Sequence, residues 1–171
     1  MTGEIPLDRI AIRTDIRPGD IGEIVRLHGT LYSQEYGYGT RFENYVAKGL
    51  VEFYESYDPK KCGAWICEHG GKIVGTIFLV DRGHSAQLRY FLVIPGYRGI
   101  GLGSKLMRLL VDFMNAAGQE KCFLWTTSEL TAAASPYRRF GFVLAEEKDS
   151  VAFGKPVTEQ KYVMDLGSVR R

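Results

Sequence analysis

The sequence has little excess charge, few cysteines and no long apolar run. Lys and Arg number 22 against 20 Asp and Glu, a net charge of +2. A protein that coats DNA or RNA needs a clear basic excess to neutralise phosphates, so this balance argues against that role. Three cysteines in 171 residues do not make a disulfide framework. Cys62 and Cys67 have no second pair or histidine at zinc-ligand spacing, so all three, Cys122 included, read as reduced packing thiols and no metal is expected. No stretch approaches the roughly 18 consecutive apolar residues of a membrane span. The start, MTGEIPLDRI, carries Glu4 and lacks the apolar core of a signal peptide. A cytoplasmic protein with no membrane partner is therefore expected. Charged residues at 25% and hydrophobic residues at 45% are ordinary globular values and exclude disorder. The length suits one domain over residues 1–171.

The apolar periodicity gives an element order. Residues 9–14 alternate Ile10 and Ile12 with polar neighbours, as a strand does. Asp20 and Glu23 form a capping-box pattern for a helix that stops near Gly37 or Gly39. Its stripe is Ile21, Ile24, Val25, His28, Leu31 and Tyr32. Thr40 and Glu43 repeat the capping pattern for a second helix with Phe42, Tyr45, Val46, Gly49, Leu50, Phe53 and Tyr57 on one face, ended by Asp58-Pro59-Lys60-Lys61. Strands are predicted at 64–68 and 72–81, joined through His69-Gly70-Gly71 as a tight hairpin. The second is apolar on both faces (Ile73, Ile77 and Leu79; Val74, Phe78 and Val80), as a central strand is. A strand at 86–94 precedes a glycine-rich turn and a strong amphipathic helix that Gly118 should cap. A strand at 122–127, a short helix at 131–140 containing Pro136, and strands at 141–147 and 159–166 complete the chain. The order β-α-α-β-β-β-α-β-α-β-β describes an α+β domain around one sheet.

The segment Arg98-Gly99-Ile100-Gly101-Leu102-Gly103-Ser104 carries the chemistry. Glycines between a strand end and a helix start let consecutive N–H groups face one concavity, and the helix adds its positive dipole end. Such a turn suits a pyrophosphate, with Arg98 placed for a charge-assisted contact. A Walker loop fits poorly, because Gly103 is followed by Ser104-Lys105 in the wrong order. A dinucleotide fold also fits poorly, because the next strand ends without an acid. A nucleotide-binding α/β protein is thus the weaker alternative, and a ligand-free glycine turn is another.

The run Leu92-Val-Ile-Pro-Gly-Tyr-Arg-Gly-Ile-Gly-Leu-Gly103 resembles the acetyl-CoA signature of the GNAT N-acetyltransferase superfamily, whose core Arg/Gln-x-x-Gly-x-Gly/Ala is met by Arg98, Gly101 and Gly103. Ser135-Pro-Tyr-Arg-Arg-Phe-Gly-Phe142 resembles the family's Y-x-x-x-G-F signature. The element order matches over residues 9–166. Residues 27–46 further resemble the acetyltransferase half of bacterial MarR-type regulator fusions, without a helix-turn-helix half.

The resemblance implies a single GNAT-like domain, with a mostly antiparallel sheet of six to seven strands flanked by about four helices. It implies a splayed parallel strand pair, at 86–94 and 122–127, that forms the CoA cleft. The pantetheine arm would pair with Phe91, Leu92 and Val93. The pyrophosphate would sit on amides from Arg98 and Gly99 through Ile100, Gly101, Leu102 and Gly103 to Ser104. Tyr137 matches the family's proton donor to the departing thiolate; Pro136 before it departs from the family pattern. The strand at 86–94 has Gln87 and Arg89 but no carboxylate base. Glu129 is the carboxylate expected near the cleft end, with Glu35, Glu43 or a water chain as alternatives. On the acceptor side Tyr36, Tyr38 and Glu35 are the expected substrate contacts, in an aromatic mouth suited to a small amine, an amino acid or a peptide. His28 reads as a core histidine, and His69 and His84 as turn residues. The implied activity is acetyl-CoA-dependent acetyl transfer to a primary amine by a monomer or homodimer. A non-catalytic acyl-CoA sensor on the same fold is the alternative.

Overall fold

The computed structural model describes residues 5–168, with the side chains of residues 133 and 134 excepted. The reading of Glu4 lies outside the described residues. The described chain runs β1 (Ala11–Arg13), α1 (Asp20–Tyr36), α2 (Thr40–Glu55), β2 (Gly63–His69), β3 (Lys72–Asp81), β4 (Ala86–Val93), α3 (Leu102–Ala116), β5 (Lys121–Thr127), α4 (Thr131–Arg139), β6 (Val143–Ser150) and β7 (Val157–Asp165). The elements follow the predicted order, with ends moved by one to three residues at most places. No helix among the described residues is long and apolar enough to cross a membrane.

The seven strands form one sheet in the order β1-β2-β3-β4-β5-β7-β6. All neighbours are antiparallel except β4 and β5, which are parallel. One core lies under α3, where Leu102, Leu106, Met107, Leu110 and Met114 meet Ile77, Leu79 and Leu124. The other lies under α1 and α2, where Ile24, Phe42, Val46, Leu50 and Phe53 meet Ile66, Phe78 and Leu92. β3 is buried on both faces because each core takes one of them. Strict alternation fails at its start: a register shift opposite Cys67 and Glu68 adds a residue to β3. Val74 therefore joins Ile77 and Leu79, while Ile73 joins Phe78 and Val80. The three cysteines are free and buried, and burial pushes the Cys67 and Cys122 thiols up to about 12.

Both expected capping boxes are absent. The N-caps are Gly19 and Gly39, and no side chain caps either helix. Asp20 instead accepts two bonds from Arg13, at 2.7 and 2.8 Å, and one from the Arg17 amide at 2.6 Å. Burial alone would raise its pKa, but these donors outweigh it and hold the carboxyl below its ordinary value. Arg13 also holds Glu68 at 2.9 Å, so one guanidinium ties β1, β2 and α1 together. Glu23 pairs with Arg26. The Glu43 carboxylate lies where a side chain on Gly29 would stand, which lets α2 approach α1. The C-termini of the helices match expectation better. Gly37 ends α1 with φ 71°, and Gly118 follows α3 with φ 69°.

Candidate active site

β4 and β5 pair at two positions, Ala86 with Cys122 and Gln87 with Phe123, and then part. Each keeps its other neighbour. β5 follows β7 to Thr127, and β4 stays on β3 to Val93. The register of β3 against β4 shifts between Thr76 and Phe78, with an extra residue on β4. That residue is Tyr90, whose φ of 51° makes it the one positive-φ residue other than glycine among those described. The bulge bends β4 away from β5, so the edge of β4 beyond Gln87 has no strand partner.

A cleft of about 320 Å³ opens at this divergence, within the usual range for small-ligand sites. Its walls come from His28 and Tyr32 of α1, Tyr38, Phe42 and Tyr45 beside and on α2, and the β4 residues from Gln87 to Phe91. Trp125, Thr126 and Thr127 of β5, Tyr137 of α4, and Lys148, Phe153 and Glu159 complete them. The aromatic side is continuous. Tyr32 stacks on Phe42 at 4.5 Å between centroids, and Phe153 meets both Tyr38 and Phe42 within 5.4 Å.

Tyr137 projects into this cleft from a helix interrupted by Pro136. At this interior position proline removes one amide donor of α4. Gly141, at φ 93°, turns the chain so that the Phe142 amide bonds back to the Tyr137 carbonyl at 3.1 Å. Phe142 is thereby buried under the Tyr137 ring, 6.0 Å between centroids, with Phe91 at the same distance. Burial raises the Tyr137 pKa above that of an ordinary phenol, so the hydroxyl keeps its proton at neutral pH.

The glycine turn follows β4. Gly99 and Gly101 have φ of 80° and 89°, a region costly for residues with a Cβ. Gly101 is the N-cap of α3 and supplies no side chain, so the first-turn amides of that helix have no side-chain cap. Leu102 is buried and Ile100 half-buried against the core, so this turn offers backbone to a ligand and side chains to the interior. A Cβ on Gly103 would stand 3.3 Å from the Phe91 ring, so the helix start packs closely on the cleft edge. Arg98 donates to the Val93 carbonyl at 2.8 Å and pairs with Glu35 at 2.9 Å.

The expected site residues thus fall in different places. Phe91, Tyr38 and Tyr137 line the cleft. Leu92 and Val93 continue the β4 edge, and Arg98 to Ser104 form the turn beyond it. Glu35 joins Arg98 at the turn and does not line the cleft. Tyr36, at the end of α1, gives its carbonyl to Lys155 and its ring to Tyr32. Glu129 lies in a separate shallow hollow with Ser128, Asp149 and Thr158. It accepts from Lys155 at 2.6 Å and from the Tyr38 hydroxyl at 3.0 Å. The Lys155 hydrogen bond, helped by Tyr38, outweighs the opposing effect of burial and holds its carboxyl below the ordinary value. The Tyr38 hydroxyl also meets Thr127 at 2.7 Å, so that ring is fixed in place. His69 is not in the turn; it closes β2 and bonds the Tyr97 hydroxyl at 2.7 Å. Among the described residues no group of three or more His, Cys, Asp and Glu is arranged to hold a metal ion.

Sequence reasoning missed Lys155 and Phe153, which reach the site from the β6–β7 loop. It gave His28 to the core, and the structure buries it while also setting it on the wall of the cleft. Its Nδ1 donates to the Ile24 carbonyl at 2.8 Å, which leaves Nε2 an acceptor without a partner among the described residues. Burial, helped by the nearby Arg89 charge, lowers its pKa to about 4.

Comparison with known proteins agrees with this architecture. The model of the acetyltransferase (GNAT) family matches residues 29–142. The chain is 30% identical over 116 residues to the probable N-acetyltransferase camello of Xenopus tropicalis, covering 66% of this chain and 52% of that protein. It is 29% identical over 116 residues to the uncharacterized N-acetyltransferase YjgM of Escherichia coli strain K12, covering 64% of this chain and 69% of that protein. The chain thus spans about half the length of the frog relative. Among solved structures, an acetyltransferase from Streptococcus agalactiae superposes with a TM-score of 0.74 at 22% identity, over 94% of this chain and 100% of that one. A spermidine N-acetyltransferase from Vibrio cholerae, in complex with CoA and spermine, superposes with a TM-score of 0.69 at 16% identity, over 96% of this chain and 99% of that one. At these identities the structures speak for the fold alone.

Proposed function

The chain belongs to the GNAT acetyltransferase family, and on that premise we propose that it transfers an acetyl group from acetyl-CoA to a primary amine by direct attack in a ternary complex. The observation that carries this reading is the parting of β4 from β5 over a cleft that has a buried, protonated tyrosine on its wall. The residues fit the donor. The free edge of β4 at Phe91, Leu92 and Val93 suits an extended arm with amide groups, which pairs as a strand would. The uncapped start of α3, with Gly99 and Gly101 in left-handed geometry, suits the pyrophosphate. Arg98, already oriented by Val93 and Glu35, sets guanidinium N–H donors at the mouth of that turn.

The neutral amine attacks the thioester carbonyl carbon. A C–N bond forms, the C–S bond breaks, and the departing thiolate takes the Tyr137 proton. Solvent takes the surplus proton of the amine nitrogen and restores Tyr137. Glu129, held below the ordinary carboxylate range by Lys155, serves in this reading as the anchor of Tyr38 and Lys155 rather than as a strong base. Tyr36 and Glu35 support the mouth through Tyr32 and Arg98. The likeness of residues 27–46 to regulator-fused acetyltransferase halves, a cytoplasmic location and a single domain over residues 1–171 belong to the same proposal.

The test is thermal melting with acetyl-CoA, CoA and ATP, followed by thiol release with an amine panel. Acetyl-CoA and CoA at about 100 times their dissociation constants should each add about 2.7 kcal/mol, and ATP should add nothing. Thiol release on adding amines completes the case. Stabilisation without thiol release would favour the acyl-CoA sensor, and no stabilisation by any of the three would overturn the reading.

A further inference from the structure

We propose that the acceptor is a free amino acid whose carboxylate docks on Arg89; this rests on the acetyl-transfer reading of the same cleft. The bulge at Tyr90 places Arg89 and Tyr90 together on the α2 side of β4. Both lie against Gly49 in the middle of α2. A Cβ there would stand 2.8 and 2.9 Å from the two Arg89 terminal nitrogens and would collide with the Tyr90 hydroxyl. The Arg89 guanidinium is held between rings, 4.9 Å from the Tyr45 centroid and 4.8 Å from that of Tyr90.

Arg13, Arg26 and Arg98 each hold a carboxylate. Arg89 holds none among the described residues, although it is half-buried and lines the cleft. A partly desolvated guanidinium without a carboxylate among the described residues is suited to one that arrives with the ligand. The neighbouring Tyr90 hydroxyl is buried and has no partner among the described residues, so a second donor stands beside the first.

The other charges on the cleft cancel. Lys148 and Glu159 pair with each other at 3.7 Å, and His28 is neutral with its pKa lowered to about 4. Among the described residues the lining is left with the single positive charge of Arg89, which attracts an anion and repels a polyamine. The volume, about 320 Å³, suits one amino acid beside the thioester rather than an extended peptide. The wall of Tyr32, Phe42 and Phe153 suits an apolar side chain on it.

The experiment compares kcat/KM for thiol release from acetyl-CoA with phenylalanine, leucine and methionine, each against its amide, and with spermidine. The free acids should exceed their amides by about 10–100-fold, the range for a charge-assisted contact, and spermidine should be the poorest acceptor. Arg89→Gln should bring the acid-to-amide ratio close to one. Arg89→Lys, which keeps the charge and loses the fork, should keep part of it and decides the matter if the first variant does not fold. Melting of the CoA-bound protein with acid or amide reads binding without turnover. Equal or better use of amides by the unaltered protein, or a ratio that survives Arg89→Gln, would overturn the proposal while leaving acetyl transfer intact. If no acceptor releases thiol, the transfer reading falls. The melting comparison then decides the carboxylate site alone: a shift with the acid that Arg89→Gln removes supports it, and equal shifts overturn it.

Discussion

The two ends of the β4–β5 parting are built from different materials. Beyond β4, the turn from Arg98 to Ser104 presents backbone, with Gly99 and Gly101 in left-handed geometry and the first amides of α3 uncapped. At the other end the walls are side chains from α1, α2, β4, β5, α4 and the β6–β7 loop. A backbone site binds through groups that every residue carries, so its sequence signature is local and consists mainly of glycine. A side-chain site is assembled from distant segments, and its specificity depends on which rings and charges meet. The difference teaches that one end can serve a constant donor while the other is free to set the acceptor.

Changes at the centre of this arrangement should have the largest effects. Tyr137→Phe should lower kcat by about 10²–10⁴-fold, the usual range for a general acid, with CoA affinity by calorimetry unchanged. An unaltered kcat would remove Tyr137 from the chemistry and leave the two ends without a catalytic link.

Acid should act on the acceptor end first. Above the ordinary histidine value of 6.5 neither the folded nor the unfolded chain holds a proton on His28; between 6.5 and about 4 only the unfolded chain does. Stability should therefore fall across that window as pH drops, by a His28 contribution on the order of 3 kcal/mol. Urea unfolding of the native chain and of His28→Gln at several pH values isolates this part as the difference in slope. Parallel slopes would show that the imidazole is not buried as a neutral base.

Two glycines sharpen the contrast further, one from each end. Gly101→Ala forces a Cβ onto a φ of 89° and within 3.4 Å of Leu7. At about 1–2 kcal/mol for the left-handed region, it should raise KM for acetyl-CoA by roughly tenfold and leave KM for the acceptor alone. Gly49→Ala should do the reverse and more weakly. Alanine favours the helix by up to about 1 kcal/mol, but its methyl displaces Arg89 and the Tyr90 hydroxyl. A few-fold rise in acceptor KM, with the melting temperature nearly constant, is expected. Steady-state kinetics with each substrate varied in turn would expose any crossover, and a crossover would mean that the two ends are not separable.

Much of the fold was legible because it rests on local pattern. The stripes of α1, α2 and α3, the two-sided apolar run of β3 and the glycines at 37, 118 and 141 each act within a few residues of themselves. Capping failed because Asp and Glu at a helix start are also available to other partners: Asp20 went to Arg13 of β1, Glu43 to the space above Gly29 of α1, and Glu23 to Arg26 one turn on in its own helix. The assignment of Ile73 and Val74 to faces was reversed by a bulge, which depends on pairing with β2 and whose one local mark is Gly75 beside it. Glu35 was read as a substrate contact, yet its partner Arg98 is 63 residues away. Tyr38, expected on the acceptor side from the aromatic-rich stretch, does line the cleft, whereas Gly49 read only as part of the α2 stripe and its meaning required knowing what lies against it.

By itself the sequence determined the element order, the central strand, the glycine turn that leaves the α3 amides bare and the tyrosine ahead of the Gly-Phe turn. Each follows from backbone sterics or from apolar periodicity, which act over a turn or a strand. Tertiary structure alone decided that β4 bends from β5 at Tyr90, that Arg89 lies between two tyrosine rings without a carboxylate among the described residues, and that Lys155 pairs with Glu129. These are matters of charge and packing between residues far apart in the chain, and a charge acquires a partner only when folding sets its neighbours.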